Sequence, residues 1–141
     1  MKVSFPSLVI PVGLYNVLAL VTVVSPSLFG SAYDATSHTL FNLPMLSAGT
    51  SLAITFGHLI LLIGLIALFF ELVSSTRASN QALIGDALTM ILFVVCLIEF
   101  LLLPPFATAT FLLLTIMVLM DSMAGFIVSA VSARKDISLG A

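Results

Sequence analysis

The sequence predicts an all-α fold, a polytopic integral membrane protein in which four transmembrane helices form a compact bundle. Three observations carry that expectation. Of the 141 residues, 61% are hydrophobic and 7% are charged, against about 45–50% and about 25% in an ordinary soluble domain. Four apolar stretches each meet the ~20 residues that cross a hydrocarbon core. Threading those stretches through a bilayer puts all four Lys and Arg residues on one side. A water-soluble globular fold is thereby excluded, because so few charges cannot cover a chain of this size in water. The net charge of −2, with no basic cluster, argues equally against nucleic-acid binding.

The first stretch covers residues 5–25 and holds Pro11, Gly13 and Asn16. Their freed backbone and amide groups need a neighbouring helix, so this face is expected to pack inward, with a kink near Pro11. Lys2, the apolar run 8–24 and the small pair Gly30 and Ala32 also have the look of a secretory signal. That run exceeds the usual h-region, however, and an uncleaved first membrane helix is the expectation.

An outer loop follows over 26–50, carrying Tyr33, Asp34, His38 and the half-apolar segment from Leu40 to Leu46. It is too apolar for a disordered linker. Its Leu and Phe side chains are expected to rest in the membrane interface, with a small docking surface as the alternative. The second stretch, 51–73, is interrupted only by His58 before Glu71. A cytoplasmic turn over 74–82 offers Ser79 or Asn80 as the cap of the third stretch, 83–103. Pro104 and Pro105 stop that stretch, and the fourth runs over 106–133 to Arg134-Lys135-Asp136. Only the first stretch carries a central Pro and Gly, which argues against two inverted transporter halves.

Lys2, Arg77, Arg134 and Lys135 share one side, whereas the other has only Asp34 and His38. Both termini are therefore expected to be cytoplasmic, and a bacterial inner membrane suits this topology best. With no Trp, the aromatic belts fall to Tyr and Phe.

A charge within a bilayer costs about 2.5–3.5 kcal/mol on insertion scales, so each ionisable group in a span needs an explanation. Glu71 and Asp86 lie near the inner span ends, within reach of water and Arg77, and read as interfacial carboxylates. His58 and Glu99 both fall ~6–10 Å below the outer surface. They are expected to form a hydrogen-bonded pair, with Cys96 one turn before Glu99 on the same side. Three such groups lack the ligand number and spacing of a metal site, so no metal is expected.

Asp121 is the deepest acid, ~22 Å from the outer edge. Two readings stand: a silent lock hydrogen-bonded to Asn16, Thr89 or Ser122, or a group that handles protons or cations. Below it Gly125, Ser129 and Ala133 recur every four residues, a spacing that suits close helix contact.

The lone Cys96 excludes an intramolecular disulfide. No GxSxG, HExxH, GxGxxG or P-loop motif occurs, so neither an enzyme nor a cofactor is expected. The expected function is non-catalytic and exerted through helix packing, as a homo-oligomer or an accessory subunit of a membrane complex. Its partners are then the lipid bilayer and other membrane subunits or itself. The alternative is a proton or cation channel or carrier assembled from several copies around Asp121.

Overall fold

In hydrocarbon every backbone N–H and C=O must find its partner inside the protein, and long apolar runs meet that demand as helices. A computed structural model describes residues 5–47, 49–74 and 80–140. Three of its helices are long and apolar enough to cross a membrane. They are α4 (Phe56–Ser74), α5 (Asn80–Leu102), whose crossing part is Leu83–Leu102, and α6 (Ala109–Leu139), whose crossing part is Ala109–Lys135. The first apolar stretch forms a shorter helix, α1 (Val9–Val24), of 16 residues, or ~24 Å at 1.5 Å per residue.

Because α1 starts at Val9, Pro11 sits in its first turn, where the missing N–H breaks no intrahelical bond. The reason for the expected kink is thus removed. The face that turns inward is Pro11, Val12, Tyr15, Ala19 and Thr22. Asn80 is the first residue of α5, and Ser79 lies outside the described residues.

Beyond α1 come two short helices, α2 (Pro26–Phe29) and α3 (Ala32–Ser37). Between them Gly30 takes φ 70°, where a Cβ would stand 2.9 Å from Asp34 Oδ2. Ser31 and Asp34 form a capping box on α3. The Asp34 amide donates to Ser31 Oγ at 3.2 Å, and the Ser31 amide donates to Asp34 Oδ2 at 3.0 Å. The bonds from Ser31 hold the Asp34 carboxyl below its ordinary value of 3.8.

The fold is not wholly helical. Thr39–Pro44 (β1) and Ser51–Thr55 (β2) pair antiparallel as a hairpin within the loop between the first two apolar stretches. Residues 51–55, expected as the start of the second span, therefore belong to a strand. Their alternation Ser-Leu-Ala-Ile-Thr is a strand period inside an otherwise apolar stretch. Thr55 ends it by capping α4: the His58 amide donates to Thr55 Oγ1 at 3.3 Å, and the Thr55 amide donates to His58 Nδ1 at 3.2 Å. The Phe56 amide donates to the His38 carbonyl at 3.1 Å, which fixes the hairpin's open end on the helix start.

Helix α6 lies between α4 and α5, and α1 lies across α4. The core between them is built on Leu8, Tyr15, Ile60, Phe111, Leu114 and Val118. Gly64 lets α4 approach α6 closely, since a Cβ there would meet Leu114 Cδ2 at 3.0 Å and Met117 Sδ at 3.1 Å. Helix α5 is peripheral, with 11% of its crossing part buried. After it a 3₁₀ turn (Pro104–Phe106) reverses the chain, and Thr108 caps α6 by accepting from the Phe111 amide at 3.2 Å. This cap starts α6 at Ala109 instead of the expected 106.

Candidate functional site

The polar groups of the helices gather at two levels of the bundle. At the level of the α4 C-terminus and the α5 N-terminus, three carboxyl groups converge from three helices: Glu71 of α4, Asp86 of α5 and Asp121 of α6. Asp121 is buried, is hydrogen-bonded with the Thr89 hydroxyl and lies within electrostatic reach of Glu71 and Asp86. Thr89 Oγ1 also lies 3.1 Å from the Gly85 carbonyl. Asp86 Oδ2 accepts from Ser129 Oγ at 3.0 Å. The carboxyl of Asp86 fills the space over Gly125, so that a Cβ at that glycine would land on it. Glu71 Oε2 accepts from the Ser7 amide at 2.9 Å and from Ser7 Oγ at 2.5 Å. The start of α1 is thereby tied to α4, and α5 to α6.

Of the small-residue face expected on α6, Gly125 is buried and Ser129 half-buried, both against Asp86, while Ala133 is exposed. Among the groups considered for Asp121, the structure supplies Thr89. Ser122 is buried, and Asn16 turns elsewhere.

At the opposite level, Asn16 Nδ2 donates to Glu99 Oε2 at 3.3 Å and to the Val12 carbonyl at 3.1 Å. Glu99 is thus bonded across α1 and α5, and the expected pair with His58 does not form. The later start of α4 explains this: His58 falls in the first helical turn, exposed, where its ring serves the cap with Thr55. Cys96 is fully buried. Among the described residues no group of three or more His, Cys, Asp and Glu could hold a metal ion.

Sequence reasoning missed the anchor at this level, Tyr15. Its hydroxyl donates to the Pro105 carbonyl at 3.1 Å and is hydrogen-bonded with Thr108 Oγ1. Its ring centroid stands 4.8 Å from that of Phe111 and 5.6 Å from that of Phe106. A signal was present, because a polar hydroxyl inside an apolar helix demands a partner. Beside this cluster an open, nearly apolar cleft of about 500 Å³ runs past Asn16, Leu20, Val23, Leu103 and Phe106.

Helices of crossing length, joined by hydrogen-bonded polar side chains, define the class: a helical membrane protein. No family model, no curated protein and no solved structure matches the chain.

Proposed function

We propose that this is a non-catalytic membrane protein that acts through helix packing, as a homo-oligomer or as an accessory subunit of a membrane complex. The observation that carries the reading is α5. Its crossing part is 11% buried, and polar contacts from Asp86 and Thr89 hold one side to α6. The other side offers Met90, Ile91, Val94 and Leu101 outward, a lateral face on which another helix can lie. In this reading the intramembrane polar groups are used within the chain as locks.

A second reading has its own support. Asp121 is buried with the carboxyl groups of Glu71 and Asp86 within electrostatic reach, and intramembrane acids gathered from several helices are the groups from which proton or cation paths are built. Comparing the wild type with Asp121→Asn separates the two, because Asn keeps the size and loses the ionisation. Under the packing reading, both proteins leave the membrane in mild detergent at one mass, larger than a single chain, and neither conducts protons in liposomes. A monomer without a co-purifying subunit would overturn that reading. Proton flux in the wild type, lost in a well-folded Asp121→Asn, would establish the second.

In either case α1 serves as the fourth span, with both termini in the cytoplasm of a bacterial cell. The one-sided placement of Lys and Arg supports this orientation. In intact cells Ser37→Cys should react with an impermeant thiol reagent and Ala133→Cys should not. The reverse pattern would invert the topology.

A further inference from the structure

The hairpin is the part of the fold whose sequence its own packing does not explain. Two strands alone are marginally stable in water, and both here are mostly exposed. Their register nevertheless sorts the side chains. Phe41 is opposite Ile54 and Leu43 is opposite Leu52, whereas Asn42 is opposite Ala53 and Pro44 is opposite Ser51. Directly opposed residues share a face, and successive residues alternate faces. Over residues 41–44 and 51–54, beyond the irregularity in register at Leu40, one face is accordingly Phe41, Leu43, Leu52 and Ile54, and the other is Asn42, Pro44, Ser51 and Ala53. Phe41, Leu43 and Leu52 are 52%, 44% and 49% exposed, and at the tip Leu46 is fully exposed.

We propose that this apolar face docks on the outer surface of the same bilayer that the helices cross, with Leu46 at the tip entering the headgroup boundary. Continuity with the lipid-facing helix surface points to lipid as the occupant. Strand β2 ends at Thr55 and α4 begins at Phe56 with no linker between them, and α4 exposes Leu59, Leu62, Leu65 and Ile66. The charge pattern agrees. No Asp, Glu, Lys or Arg occurs between Asp34 and Glu71, so hairpin and helix form one uncharged surface with nothing to hold the strands out in water. A hairpin built to stand in solvent, or to resist pairing with another copy, ordinarily carries charge on its edges.

The absence of Trp makes a single introduced Trp an unambiguous reporter. Phe41→Trp, Leu52→Trp and Asn42→Trp are to be reconstituted separately in phosphatidylcholine–phosphatidylglycerol vesicles whose acyl chains are brominated near the headgroup. All three positions are exposed, so the variants should fold, and Leu62→Trp in α4 serves as the lipid-facing standard. Phe41→Trp and Leu52→Trp should emit blue-shifted and lose most of their emission to brominated lipid, as Leu62→Trp does. Asn42→Trp should be quenched more strongly by aqueous iodide. Red-shifted emission at positions 41 and 52, open to iodide and indifferent to bromine, would overturn the proposal. Emission shielded from both quenchers that shifts red as the protein is diluted in lipid would also overturn it, in favour of a second copy seated on this face.

Discussion

Gly125→Leu is expected to separate α5 from α6 and to be among the most destabilising single changes in the chain. The space above Gly125 is already filled by the Asp86 carboxyl, so any side chain there must displace it. Displacement also breaks the bond from Ser129, which is the best-defined polar tie between the two helices. Overpacking costs about 1–3 kcal/mol, and an interhelical hydrogen bond in a membrane adds about 0.6–1.7 kcal/mol. A total loss of about 2–4 kcal/mol follows, read as a lower midpoint of thermal unfolding in detergent. Gly125→Ala should lie between Leu and the wild type, because one methyl group can be met by a rotation of Asp86. Adding Asp86→Ala to Gly125→Leu should recover part of the loss, since the clash then has no second party. Wild-type stability of Gly125→Leu would show that α5 is held by something other than this contact.

At the other level of the bundle, Phe111→Ala is expected to cost about 3–5 kcal/mol, the usual range for emptying a buried aromatic site. Phe111 is fully buried, and its ring touches both Tyr15 and Phe106. Its loss therefore loosens α1, the 3₁₀ turn and α6 together. Tyr15→Phe isolates the polar part of the same cluster: it keeps the ring and removes the bonds to Pro105 and Thr108, at a cost of about 1 kcal/mol. Leu113→Ala, at a site 45% exposed, supplies the comparison. Should Phe111→Ala lower the unfolding midpoint no more than Leu113→Ala does, the aromatic cluster is not an anchor.

The helix interiors were legible because hydrophobic length alone specifies them, as in α4, α5 and most of α6. Boundaries were less so. Residues 51–55 have both the apolarity of a span and the alternation of a strand, and the criterion of length absorbed the second signal. Thr55 and Thr108, which cap α4 and α6, were readable as caps, yet each sat where an apolar count ran straight through.

The site divides in the same way. Depth along a helix follows from residue number, and it put Asp121 near Thr89 and Glu99 near the end of its helix before Pro104. Rotation about the helix axis does not follow from number. Asn16 was among the partners expected for Asp121, and the face α1 turns to α5 gave it to Glu99 instead. The expected His58–Glu99 pair failed for a related reason, since one cap moved His58 from a span into a helix start.

In the four-span arrangement, α1 and α6 give the bilayer two different thicknesses to match. Helix α1 offers ~24 Å, less than the hydrocarbon core of ~30 Å, whereas the 27-residue crossing part of α6 offers ~40 Å. A tilt reconciles α6 with its surroundings, whereas a helix that is too short is met by thinning of the lipid, by snorkelling of its flanking residues or by association with another helix. Each ångström of mismatch costs a fraction of a kcal/mol. With α1 as a fourth span, the protein would meet a thinner layer of hydrocarbon along α1 than along α6, a difference in membrane thickness from one flank of a single chain to the other.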